Sequence, residues 1–235
     1  MTAPITRRRL SLLRAAWLVL RKDWQIEWRT RARLTALIFF SLSTLLLFSF
    51  AMGPDIEALR RHAPGYLWLA LLFASVLSLG ESFRVESENQ ALTGLVVTPV
   101  EPRAIFLGKV FGNASLLFGL SLVLLPVAVA LYDIDLSRAP LSLILVLFLG
   151  SVGISAPGIV YSAISANARA RDVMLPLLLF PVLVPLLLAA VSATRFTLGP
   201  DAQGQLPSWL KLLTAFDLIY LSVGFLLFPK VAEED

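Results

Sequence analysis

Six stretches of about 20 residues, nearly free of charge, leave this chain few ways to fold. They run Leu34–Met52, Ala63–Gly80, Val110–Tyr132, Ala139–Val160, Val173–Thr194 and Trp209–Phe228. A helix needs roughly 20 apolar residues to cross the hydrocarbon core of a bilayer. Inside lipid every backbone amide must be satisfied within the protein, so a spanning segment is a helix or part of a closed barrel. These runs are continuous rather than alternating and too long for strands, so the reading is six transmembrane helices. Charged residues make up only 15% of the 235 residues, against about 25% in soluble domains. The expected architecture is an all-α polytopic membrane protein. Residues 1–33 form a cytoplasmic or interfacial segment, 34–228 the six-helix domain, and 229–235 a cytoplasmic tail.

The net charge of +4 is not a nucleic-acid signature, because of where the bases lie. Nine of the twenty Lys and Arg fall between Arg7 and Arg33, ahead of the first apolar run. With the N-terminus inside, inner segments hold fifteen basic residues and outer segments five. The positive-inside rule therefore predicts that both termini are cytoplasmic. Leu10, Leu13, Trp17, Trp24 and Trp28 share one helical stripe, with Arg7, Arg14, Lys22 and Arg29 off it. That pattern predicts an amphipathic helix in the headgroup layer, with tryptophans at the interface. A cleaved signal peptide fits poorly, since the basic region is long and no small-x-small site follows the first run.

Within the spans, Gly150, Gly153, Pro157 and Gly158 suggest a bend in the fourth helix. Pro176, Pro181 and Pro185 are tolerable in the fifth where neighbouring helices cover the freed carbonyls. Gly108, Gly112, Ser115 and Gly119 line one side of the third helix and read as a close-packing stripe.

Catalytic sets are scarce. The chain has no cysteine and one histidine, which excludes disulfides, thiolate metal sites and a His-rich metal site. Gly108-Lys109 fails as a phosphate loop, because Arg103 and Val110 stand where Gly and Ser or Thr are needed. Asp217 is an acid about 12 Å into the sixth run. Such a residue is a functional candidate by default, with a hydrogen bond to a neighbouring span as the plainer reading. His62, beside Arg60 and Arg61 in the expected outer loop, is a candidate axial haem ligand with arginines for the propionates. The plainer and preferred reading is an exposed loop histidine. An intramembrane enzyme would need facing polar groups that the runs do not offer, and a secondary transporter would need several intramembrane charges.

The segment between the second and third runs is the most informative. Glu86 and Glu88 precede the apolar patch Leu92, Leu95 and Val96, spaced for a short helix. Thr98-Pro99 closes it, and Pro102 stands where a new helix can begin. Such a helix fits a groove on a cytoplasmic partner. The residues Glu86, Glu88, Leu92, Gly94, Leu95, Pro99 and Arg103, with Gly108-Lys109, resemble the cytoplasmic loop of ABC-2-type permeases. Further stretches narrow the resemblance: Phe48 to Pro54, Trp68-Leu69-Ala70, Ile105 to Lys109, Arg169 to Val173, Leu175 to Pro181, and Phe216-Asp217. Together they resemble the CcmB family of haem-exporter permeases, from about Lys22 to the C-terminus. The tryptophan-rich haem motif of CcmC-type proteins is absent, and Thr93 stands where family members often carry an acid.

The resemblance implies a non-catalytic permease subunit in the bacterial inner membrane, energised by a CcmA-like ATPase. It implies CcmC-like and CcmD-like membrane partners and a CcmE-like haem chaperone. The task would be haem export, or release of the loaded chaperone, in c-type cytochrome biogenesis. Haem enters as a possible substrate, with no bound cofactor expected. An ABC-2 exporter for lipid, polysaccharide or drug is the alternative.

Overall fold

The computed structural model describes residues 11–82, 101–166, 171–201 and 203–233, and these are helical apart from short connections. The helices are α1 (Leu12–Thr30), α2 (Ala32–Met52), α3 (Ile56–Ser82), α4 (Pro102–Tyr132), α5 (Pro140–Ser165), α6 (Arg171–Leu198) and α7 (Leu206–Glu233). Six of them, α2 to α7, are long and apolar enough to cross a membrane.

Local signals set the ends. Asp55 Oδ1 accepts the backbone N–H of Ala58 at 3.0 Å and opens α3. Pro102 and Pro140 begin α4 and α5, where a missing N–H costs nothing. The two carboxylate oxygens of Asp201 accept the Gln205 and Leu206 N–H groups at 2.8 and 2.9 Å, ahead of α7. Arg31, with φ 45°, turns the chain sharply from α1 into α2.

Several helices are longer than the apolar runs. α3 begins at Ile56 rather than Ala63, and α4 at Pro102 rather than Val110. Arg60, His62, Arg103 and Lys109 therefore sit on helices and not in loops. The apolar run marks the lipid-facing length, while the helix continues as long as its polar residues find partners or water. α7 likewise continues through Pro229 to Glu233, so most of the expected tail is helical.

α5 is the most enclosed span and lies against α3, α4, α6 and α7. It is helical without interruption from Pro140 to Ser165, where the sequence suggested a bend. Its glycines do something else. A Cβ on Gly150 would run into the Trp68 ring, and one on Gly158 into Leu79. Glycine lets α3 approach α5 closely, the usual means of helix association in lipid. Trp68 is buried, and its indole N–H donates to Thr194 Oγ1 at 2.9 Å, tying α3 to α6. Tyr132 OH donates to the Leu45 carbonyl at 2.7 Å, tying α4 to α2.

Candidate functional site

The small-residue stripe on α4 seats α1. A Cβ on Gly108 would lie 2.7 Å from the Ala16 carbonyl oxygen and 2.7 Å from Val19 Cβ. Lower down, Trp24 Nε1 donates to Ser115 Oγ at 2.8 Å. Ala15 is buried, whereas Leu13, Trp17, Trp24 and Trp28 are exposed. Leu13 and Trp17 therefore face outward, while Trp24 bonds to α4 and, with Trp28, borders the gap between α1 and the bundle. Gly108→Leu is expected to undock α1, since overpacking costs about 1–3 kcal/mol. Trypsin cleavage at Arg14 and Arg21 is expected to quicken about tenfold or more. Gly112→Ala is the control, because its nearest neighbour, Asp23 Oδ2, is 4.0 Å away. Equal cleavage of both variants would show that α1 does not rely on this seat.

Charged groups gather beneath the docked helix. Lys109 is 2% exposed; its Nζ donates to the Ser82 carbonyl at 2.9 Å and lies 3.9 Å from Asp23 Oδ2. Arg33 Nη1 lies 3.0 Å from Glu27 Oε2. Arg33 Nη2 donates to the Ser78 carbonyl at 2.8 Å and to Ser78 Oγ at 2.6 Å. From Ser78 the chain of polar groups continues inward. Ser78 Oγ donates to Asn113 Oδ1 at 2.5 Å, and Asn113 Nδ2 donates to Ser155 Oγ at 2.9 Å. Five helices, α1 to α5, are thus joined by one polar track that starts at the basic end of the bundle. Burial pushes the Glu27 carboxyl above the usual carboxylate range, against the opposing pull of Arg33, with Asp23 adding to the rise.

A cleft of about 240 Å³ opens between α1, α2 and α4. Its upper rim holds Lys22, Asp23, Glu27, Arg33, Glu81 and Lys109. Its lower walls are apolar, formed by Leu37 and Ile38 of α2 and Leu116, Leu120 and Val123 of α4.

The residues singled out from sequence fall elsewhere. Glu86, Glu88, Leu92, Gly94, Leu95 and Pro99 lie outside the described residues. Arg103 is on the first turn of α4, 3.4 Å from Glu101 and stacked 5.1 Å from the Phe225 ring centre of α7. Asp217 is 5% exposed in α7, and neither carboxylate oxygen has a hydrogen-bond partner among the described residues. The bond to a neighbouring span expected of it is not made. It faces Gly153, where a Cβ would lie 2.6 Å from Oδ1, so the glycine makes its room. His62 is exposed on α3, 6.1 Å from Tyr66 ring to ring. Arg60 beside it is tied to Asp133 at the end of α4, through the carbonyl at 2.9 Å and an ion pair with the carboxylate. Sequence reasoning missed Glu27, Arg33 and Asn113. Asn113 was detectable, as a polar side chain inside an apolar run.

The chain matches the family described as CcmB protein over residues 14–232. It is 33% identical over 175 residues to heme exporter protein B of Haemophilus influenzae, covering 74% of this chain and 78% of the relative. It is 32% identical over 203 residues to heme exporter protein B of Pseudomonas aeruginosa, covering 86% and 90%. With heme exporter protein B of Escherichia coli the identity is 30% over 182 residues, covering 75% and 80%.

Proposed function

The chain belongs to the CcmB family, and from that premise we propose that it is the membrane permease subunit of a haem exporter serving c-type cytochrome biogenesis. The family match carries the reading, because it runs through all seven helices rather than one motif. Six spans suit a permease, and three relatives named heme exporter protein B align over most of their length. The energy source is a separate ATPase. Lys109, the one lysine in a loosely phosphate-loop-like position, is buried against Ser82 and Asp23 and leaves no cradle for a triphosphate. The CcmA-like ATPase would dock on the segment between α3 and α4, with CcmC-like and CcmD-like membrane partners and a CcmE-like chaperone completing the assembly. The excess of basic residues supports a reading with α1 and both termini on the cytoplasmic side, and the family match supports the bacterial inner membrane.

Deleting the gene from the source organism and staining membrane proteins for covalently bound haem tests the function. Loss of haem-stained c-type cytochromes, restored by the intact gene, is the expected result. Unchanged staining in the deletion would refute the assignment. Orientation is tested with single cysteines, which a chain without cysteine accepts cleanly. Cysteines at Ser137 and Gln203, both exposed, should react with an impermeant thiol reagent added outside. Cysteines at Ser87 and Ala168 should react only after the membrane is opened, and the reverse pattern would invert the topology.

A further inference from the structure

We propose that the cleft under α1 is a binding site for one phospholipid whose headgroup carries both a phosphate and a primary ammonium, phosphatidylethanolamine. Shape comes first. The cleft has a charged rim and apolar lower walls, the profile of an amphiphile. From Gly112 to Val123 its wall on α4 measures about 16 Å along the helix axis. That is the depth of one leaflet, half of a hydrocarbon core about 30 Å thick. Gly119 and Val123 at the lower end are exposed, so the cleft opens sideways, where an acyl chain can enter from the bilayer. Exposed Trp24 and Trp28 flank the rim at headgroup level.

Charge then selects the headgroup. The rim carries three bases, Lys22, Arg33 and Lys109, and three acids, Asp23, Glu27 and Glu81. Lys22 lies 3.3 Å from Asp23, and Arg33 lies 3.0 Å from Glu27. A purely anionic ligand would face as many acids as bases. A lipid phosphate finds Lys22, Arg33 and Lys109 at this rim and an ammonium finds Asp23, Glu27 and Glu81, so a zwitterion with N–H groups to donate meets a counter-charge at each end.

Native mass spectrometry of the purified full chain tests this, with equal amounts of phosphatidylethanolamine, phosphatidylcholine and phosphatidylglycerol supplied in detergent. One retained phosphatidylethanolamine is expected, favoured over each of the others by about tenfold, the weight of one hydrogen bond to a charged group. Phosphatidylcholine has no ammonium N–H to donate, so its equal retention would overturn the role of Glu27. Equal or stronger retention of phosphatidylglycerol would overturn the zwitterion. Glu27→Gln should erase most of the preference. A Cβ on Gly119 meets nothing within 4 Å, so Gly119→Leu fills the lower mouth without a clash. That variant should elute as the parent does and lose the retained lipid, while loosely bound annular lipid is unaffected. Unchanged retention in Gly119→Leu would place the lipid outside the cleft and refute the proposal.

Discussion

Replacing Leu92 and Leu95 together with Asp is expected to lower affinity for the energising ATPase by more than about a hundredfold. On the proposed reading a partner ATPase binds the nucleotide, and work enters this chain through a cytoplasmic contact. Leu92, Leu95 and Val96 form the apolar patch of the segment between α3 and α4, which Glu86 and Glu88 precede. Each leucine buried in a partner groove contributes roughly 1.5–3 kcal/mol, and the substitution also puts two charges into that groove. The spans are untouched, so the variant should reach the membrane at normal levels. It should lose the ATPase on purification and lose haem-stained c-type cytochromes. Retention of the ATPase at parental stoichiometry, with normal cytochromes, would show that coupling runs elsewhere.

The second large effect lies at the rim of the cleft. Arg33→Leu removes the counter-charge of Glu27, whose side chain is only 12% exposed, and the donor to the Ser78 carbonyl. Stranding a buried charge in this way costs about 3 kcal/mol. The loss should depend on pH. Burial raises the Glu27 carboxyl pKa above its unfolded value, with Arg33 opposing the rise, so folding favours its protonated form relative to the unfolded chain. Its contribution to stability is greatest below the unfolded value and falls as pH rises through the raised one. Without Arg33 the rise is larger, and the deficit of the variant should be greater near about pH 8 than near about pH 5. Adding Glu27→Gln should recover most of it. Thermal unfolding of the single and double variants at both values measures this. A deficit independent of pH, or one that Glu27→Gln deepens, would rule out the stranded carboxylate.

Hydropathy made the six spans legible, since lipid demands about 20 apolar residues from any helix that crosses it. Each predicted run lies within, or within one residue of, one of α2 to α7. Helix starts at Pro102 and Pro140 were readable for the same local reason, a fixed φ and a missing N–H. Partnership was less legible. The stripe Gly108, Gly112, Ser115 and Gly119 announced close packing, but the guest is the N-terminal helix α1. Glycine leaves the same gap whichever helix fills it.

The sequence by itself determined the class of solvent around this protein, the number of crossings and the membership of a family. All three follow from one-dimensional quantities: run length, charge placement and motif. Only the tertiary structure decided which polar groups meet. Glu27 and Arg33 lie near each other in sequence, but Ser78, Asn113 and Ser155 reach them across three further helices. That track depends on the relative rotation and depth of the spans, which packing around Gly150, Gly153 and Gly158 sets to within a side chain's width. Hydropathy is blind to rotation, because a uniformly apolar helix has no preferred face. The cleft exists for the same reason: Gly108 holds α1 tightly against α4 at one point, and the open space at Gly119 leaves room further down.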